Sequence, residues 1–300
     1  MSRRSTCATS TCGGRRLRVD FTSCARIPGR AYNGANGKKI AVSWQGACWI
    51  LKFPPSAAER PNDLSYSNSC FSEHIASTVF GFLGIPVQET RLGTFTNGRT
   101  HVVCACRDFT DDRRILHDFC SIKNTVLESD SNGTGTELRT VLETIDRQQF
   151  VDPVRLRRFF WDMFVADAFL GNFDRHNGNW GFLVDRISGA CDIAPVFDCG
   201  SCLLPQADER IMRLVLDDER ELDARIFTFP SSMLKIDGAK INYAKILTSP
   251  PDDLRDAIGR ILPRVDLGRI CAFIDDVPYL TDLQREFYRR YLTARRQKLF

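Results

Sequence analysis

The segment Gly171-Asn172-Phe173-Asp174-Arg175-His176-Asn177-Gly178-Asn179, followed after two apolar runs by Phe197-Asp198-Cys199-Gly200, constrains this chain more than any other stretch. Trp180 to Val184 alternates apolar residues around a glycine, and Cys191 to Phe197 is a second, mostly apolar run. Between them Asp185-Arg186-Ile187-Ser188-Gly189 carries turn chemistry, so the pair reads as a β-hairpin with a longer loop. A hairpin returns the chain to its starting end. Asn179, just before the first strand, and Asp198, just after the second, are therefore expected side by side. Two oxygen ligands brought together this way suit Mg²⁺, which takes one or two protein carboxylates and completes its shell with phosphate oxygens and water. Asp174, five positions before Asn179, adds a carboxylate that can accept a proton. Asp, Asn and Gly also mark ordinary loops. Both halves in this order point to phosphoryl transfer.

That chemistry also needs a cation on the phosphates and a group to hold it. Ala47-Cys48-Trp49-Ile50-Leu51-Lys52-Phe53-Pro54 reads as a hydrophobic strand carrying one lysine and ended by prolines. A lone lysine in such a strand most often faces solvent. Ahead of the Asp174 segment, however, Lys52 occupies the place of an ATP-contacting lysine. Ser69 to Phe80 reads as a helix, with Phe71, Ile75, Val79 and Phe82 forming a buried stripe. Glu73 lies off that stripe, either as a solvated glutamate or as the partner of Lys52, and the chain order favours the partner. Upstream, a loop holding Asn33, Gly34, Asn36 and Gly37 flows into the strand Ile40 to Trp44. Such a loop can cover phosphates with backbone N–H groups or serve as a plain hairpin turn.

The segments from Trp49 to Pro54, Gly171 to Asn179 and Ala194 to Ser201 resemble the HipA-type serine/threonine kinases, and in particular a compact branch of that family. The likeness runs from about Tyr32 into the mid-200s and is most specific between Asp174 and Asp198. The resemblance implies an α+β, two-lobed protein-kinase-like fold that uses ATP and Mg²⁺ to phosphorylate serine or threonine on protein. It implies Asp174 as catalytic base, Asn179 and Asp198 as metal ligands, and Lys52 on the ATP phosphates, held by Glu73. Full-length toxins of the family carry a further N-terminal subdomain that docks an antitoxin. Here about thirty residues precede the kinase-like region, which leaves an antitoxin partner open, and direct nucleic-acid contact is not expected. Alternatives are a lipid or small-molecule kinase, since phosphoinositide kinases use a similar Asp-Arg-His…Asn arrangement, and a nucleotide-binding toxin–antitoxin module that no longer catalyses.

The expected organisation is a basic, irregular arm over residues 1–30, a small β-rich N-lobe over 31–109 and a larger, mainly helical C-lobe over 110–300. Asn97-Gly98 between two alternating runs is a strong hairpin signal. Arg107-Asp108-Phe109 then falls at the hinge, against the adenine. Beyond it, Glu128 to Thr136 is polar and glycine-rich and reads as a mobile loop whose Ser129, Ser131 and Thr134 are candidate autophosphorylation sites. Asp152-Pro153 starts a strong helix that Gly171 ends. Asp167 on that helix reads as a structural hydrogen-bonding residue and His176 as scaffold for its loop, while the partner of Arg175 stays open between a phosphate and a carboxylate.

The chain's 300 residues, 43% of them hydrophobic, suffice for a sizeable core in two domains. Net charge is +4, with seven arginines and one acid in the first thirty residues. No run approaches the roughly eighteen apolar residues of a membrane span, and the expected setting is a soluble, cytoplasmic protein, with export into a host left open. Twelve cysteines form no regular framework. Cys199-Gly200-Ser201-Cys202 matches a Cys-x-x-Cys pair that His176 and Cys191 could complete as a zinc set. Zinc would leave Asp174, Asn179 and Asp198 without a purpose, so the cysteines are read as small apolar residues.

Overall fold

A computed structural model describes residues 18–28, 38–54, 67–127 and 132–300. The loop holding Asn33, Gly34, Asn36 and Gly37, and with it Ser129 and Ser131, lies outside the described residues. Strands β1 (Val19–Asp20), β2 (Ala25–Arg26), β3 (Lys39–Trp44) and β4 (Ala47–Lys52) precede helix α1 (Ser69–Phe82), and β5 (Thr90–Asn97) and β6 (Arg99–Arg107) follow it. These six strands form one sheet in the order β1-β5-β6-β4-β3-β2. Asn97 and Arg99 face each other across Gly98, whose φ of +75° supplies the left-handed residue that the tight turn requires.

Residues 18–28, expected in the irregular arm, instead close both edges of this sheet: β1 pairs with β5 in parallel and β2 with β3 in antiparallel. The physical reason is Phe21, fully buried between the two short strands, with its N–H donated to the Thr94 carbonyl at 2.9 Å. Arginine content disguised an apolar anchor.

The sheet separates two hydrophobic cores. Phe21, Val42, Trp49, Leu51, Phe95, Val103 and Ala105 pack on one face. On the other face Cys104 and Cys106, alternating with Val103 and Ala105, join Phe71, Ile75, Val79 and Phe80 of α1 in a core that continues through the rest of the molecule. Cysteine acts here as a small buried apolar residue, and the ten cysteines among the described residues are free thiols.

Beyond β6, β7 (Arg114–Asp118) leads to helices α2 (Phe119–Leu127), α3 (Leu138–Arg147) and α4 (Pro153–Leu170). The expected hairpin is β8 (Gly181–Asp185) and β9 (Cys191–Ile193), and β7 adds an antiparallel strand to it. The order is then α5 (Glu209–Asp217), α6 (Glu219–Asp223), a π-helical turn, the hairpin β10 (Ser231–Ile236) and β11 (Ala239–Asn242), α7 (Tyr243–Thr248), α8 (Asp252–Ile261), α9 (Leu267–Asp276) and α10 (Asp282–Leu299). The small sheeted part and the larger, mainly helical part make the α+β architecture that the resemblance implied. Among the described residues no helix is long and apolar enough to cross a membrane.

Two features aim the chain at one place. In α4 the Asp152 side chain caps the first turn by accepting the Val154 N–H, and Gly171 ends the helix at φ +68°. A Cβ at Gly171 would stand 2.4 Å from Tyr291 Oη, so glycine is required by space as well as by backbone. The strand that leads to Asp198 is stitched to the sheeted part: Val196 N–H donates to the Pro86 carbonyl, and Gln88 N–H to the Val196 carbonyl, both at 2.8 Å.

Candidate active site

Lys52 ends β4 on the face shared with Cys104, its register partner in β6. Its ammonium donates to Glu73 Oε2 at 2.9 Å and to Asp198 Oδ1 at 3.0 Å, so two carboxylates from distant parts of the chain meet on one lysine. Burial alone would discharge Lys52, but Asp198 and Glu73 outweigh it and hold its pKa well above the ordinary lysine value. Glu73 is buried, and its other oxygen, Oε1, accepts the backbone N–H of Cys199 at 3.1 Å. One glutamate thereby fixes both the lysine and the loop just after Asp198.

Asp198 occupies the left-handed region at φ 57°, an uncommon place for a residue other than glycine. Its side chain keeps 41% of its surface open to the cleft. The neighbouring Lys52 charge, more than burial opposes it, holds the Asp198 carboxyl down at about 2. Asp174 is pushed the other way: burial, with Asp198 adding repulsion, raises its pKa against the lowering influence of His176. The Asp174 carboxylate takes no hydrogen bond among the described residues, while its backbone is held firmly. The Asp174 N–H donates to Asn172 Oδ1 at 3.0 Å, and its carbonyl accepts from Asn179 Nδ2 at 2.8 Å. With Nδ2 so engaged, the amide oxygen of Asn179 is the atom left for a ligand.

The buried Arg175 explains how the two halves of the motif meet. Its Nη1 donates to the Asn179 carbonyl at 2.8 Å and, by a short hydrogen bond, to the Phe197 carbonyl, joining the metal-ligand candidate Asn179 to the residue before Asp198. Its charge is matched by Asp167 on α4 at 3.0 Å, and Asp167 also accepts from Asn172 Nδ2 at 2.7 Å. The choice that the sequence left open for Arg175 thus falls on a carboxylate, and Asp167 is the hydrogen-bonding residue expected. His176 Nδ1 accepts the Gly178 N–H at 3.0 Å, which shapes the loop and leaves the proton of a neutral ring on Nε2.

The residues expected at the hinge are less engaged with these side chains. Arg107 is exposed and pairs with Glu89 at 3.2 Å, and the Asp108 carboxylate turns back to accept from Thr110 N–H and Oγ1 at 2.8 and 2.6 Å. The Asp108 N–H donates to the Cys48 carbonyl at 2.9 Å, and Phe109 lies with its ring 5.8 Å from that of Phe197. The backbone here links the two parts, and Phe109 contributes an aromatic face.

Several supporting residues carry no motif in the sequence. Asn177 donates from Nδ2 to the Gly133 and Gly135 carbonyls at 2.8 and 2.9 Å, so residues 132–136, expected to be mobile, are docked on the Asp174 loop. Gly133 sits at φ +75°, and a Cβ there would meet the Cys120 carbonyl at 1.9 Å. Tyr243 Oη donates to the Asn172 carbonyl at 2.6 Å. Arg295, fully buried in α10, donates to the Ala168 and Phe169 carbonyls at 3.1 and 3.0 Å and so caps the end of α4. Only long-range packing reveals these partners.

The donor set fits a hard divalent cation. A carboxylate held ionised and an amide oxygen stand beside a second carboxylate, and all are oxygen ligands of the kind Mg²⁺ prefers. Among the described residues no group of three or more His, Cys, Asp or Glu side chains is arranged for a metal, and Cys199 and Cys202 are buried in the core.

Comparison with known proteins agrees with this geometry. Residues 31–264 match the HipA-like C-terminal domain family. The chain is 47% identical over 283 residues, 94% of its length and 86% of the other's, to the serine/threonine-protein kinase CtkA of Helicobacter pylori (strain J99 / ATCC 700824). The crystal structure of a Helicobacter pylori proinflammatory kinase CtkA superposes with a TM-score of 0.89 at 46% identity, covering 94% of this chain and 95% of that one. HipA in the Shewanella oneidensis MR-1 complex with HipB and operator DNA shares the fold at a TM-score of 0.56 and 16% identity, over 91% of this chain and 67% of that one. With a family match over most of its length and a relative of this identity, the chain belongs to the HipA-like C-terminal domain family.

Proposed function

We propose that the chain is an ATP- and Mg²⁺-dependent serine/threonine protein kinase whose acceptors are proteins, itself among them. The observation that carries this reading is Lys52 held at once by Glu73 and Asp198, with Asp174 unencumbered across the same cleft. The relative at 47% identity is named a serine/threonine-protein kinase, which supports the same activity here. Residues 31–109 are read as the phosphate-holding lobe and 110–300 as the lobe that presents the acceptor.

Lys52 would neutralise the phosphate oxygens of ATP, and Glu73 would keep it pointed there. Asp198 and Asn179 would hold Mg²⁺, which when bound spreads the negative charge that develops on the phosphates. Asp174 would orient the acceptor hydroxyl: as its oxygen bonds to the γ-phosphorus and the bond to the ADP oxygen breaks, the hydroxyl proton passes to the Asp174 carboxylate. Catalysis is then mostly alignment and charge stabilisation. Asn33, Gly34, Asn36 and Gly37 are proposed to cover the phosphates, and the Arg107-Asp108-Phe109 backbone to border the adenine, with Phe109 as the aromatic wall.

The direct test is transfer of label from ATP with Mg²⁺, wild type beside Asp174→Asn, followed by mass spectrometry of the protein. Label on Ser or Thr of the wild type, reduced by about 10²- to 10⁴-fold in the variant, is the expected result. Equal labelling of both would remove Asp174 as base, and ATP binding without transfer would favour a module that binds nucleotide only.

A further inference from the structure

The β10–β11 hairpin carries a pair of charges that the fold itself does not use. Lys235 and Lys240 are directly opposite each other in register, a like-charge cross-strand pair that costs stability. Neither has an ion-pair partner among the described residues. Lys240 is exposed, whereas Leu234 and Ile241, the apolar neighbours of the pair, point into the core. The nearby carboxylate of Glu137 accepts the Gly238 N–H in the hairpin's own turn at 2.8 Å, and Asp237 in that turn is exposed.

The hairpin is pinned to the catalytic loop at both ends. Phe229, just before β10, packs its ring 5.5 Å from that of Phe173. Tyr243, just after β11, donates to the Asn172 carbonyl at 2.6 Å. Residues 172 and 173 immediately precede Asp174, so both contacts tie the hairpin to the segment that carries it. Lys240 is accordingly among the cations whose field reaches the Asp174 carboxyl. A register shift between Ser231 and Lys235 breaks the ladder beside the pair, the kind of irregularity that re-aims side chains near active sites.

Two ammonium groups without an ion-pair partner among the described residues, on a hairpin packed against the residues that precede Asp174, can receive an anion. Resting on the kinase reading above, we infer that Lys240, with Lys235 beside it, selects the acceptor by binding an acidic or phosphorylated side chain that flanks the serine or threonine. On the kinase reading the nucleotide phosphates already have Lys52, which leaves the hairpin pair for the acceptor.

The test is a degenerate peptide library centred on Ser or Thr, phosphorylated by the full chain with labelled ATP and Mg²⁺. Wild type is expected to enrich Asp, Glu or phosphoserine beside the acceptor, and Lys240→Glu to lose that enrichment by about fivefold, the effect of one partly exposed ion pair. Lys240→Arg should keep the preference, and KM for ATP should stay the same in both variants. Thermal stability of Lys240→Glu should be equal to or above wild type, because the substitution removes the cross-strand repulsion; lost selectivity therefore cannot be lost folding. A flat library profile, or an acidic preference that persists in Lys240→Glu, overturns the inference. So does a raised KM for ATP, which would put Lys240 on the nucleotide, and so does label that enters the chain itself but no peptide. If wild type transfers no label to peptide or to itself, the kinase reading falls first and this inference with it.

Discussion

Asp174 and Asp198 are the same residue type in one cleft, yet their surroundings push them apart. Asp198 is held at about 2 by Lys52, while burial and the charge of Asp198 raise Asp174. On the proposed role of Asp174 as base, which requires it deprotonated, kcat/KM should fall as pH drops through its raised pKa, with the acid limb above the ordinary carboxylate value of 3.8. His176 is the largest influence lowering the Asp174 pKa, so His176→Gln should move that limb to still higher pH. A pH–rate profile of the two proteins checks both directions, and a limb below 3.8 would contradict them. For Asp198 the sign is opposite: its depressed pKa contributes stability that is complete above 3.8 and lost as pH falls toward about 2.

At the scale of elements, α4 is the arm that delivers the Asp174 loop, and its C-terminal carbonyls depend on a residue more than a hundred positions away. Arg295 satisfies Ala168 and Phe169 and reaches the Arg225 carbonyl at 3.2 Å, placing a cation where the helix dipole is negative. Arg295→Met keeps much of the apolar volume and leaves those carbonyls buried without donors. An expected loss of about 3 kcal/mol follows from two such groups, read as a lower midpoint in a urea titration at unchanged slope. An unchanged midpoint would mean that water replaces the guanidinium. The hairpin β8–β9 and the capping of α4 could be read from local signals, because turn residues, Asp152-Pro153 and Gly171 each act over a few positions. β7, β1 and β2 could not: strands of five and two residues acquire their identity only from the neighbours they pair with.

Across the whole molecule, the proposed site lies where the six-stranded sheet meets the helical part, and its three key carboxylates come from α1, the Asp174 loop and the segment after β9. A ligand that bridges the elements carrying them should stabilise the whole fold. ATP with Mg²⁺ at about a hundred times its Kd would add roughly 2.7 kcal/mol, seen as a raised Tm. Asp198→Ala should lose most of that shift while ATP without Mg²⁺ gives little in either protein. An equal shift for both proteins would exclude Asp198 from the binding of the metal nucleotide.

Residue order alone was enough to bring together Lys52, Glu73, Asp174, Asn179 and Asp198 as candidates, because each stands beside a strand end, a helix stripe or a turn whose local chemistry announces it. The likeness in those segments also indicated the family. What local chemistry could not supply were the partners that make the arrangement rigid: Arg175 between Asp167 and the two strand ends, Asn177 on residues 133–135, Tyr243 under Asn172, and Arg295 beneath α4. Each pairs with backbone or buried charge, and any buried donor must find some acceptor. A sequence states that such a need exists. Which acceptor meets it depends on packing between elements far apart in the chain, and that is set only when the core closes.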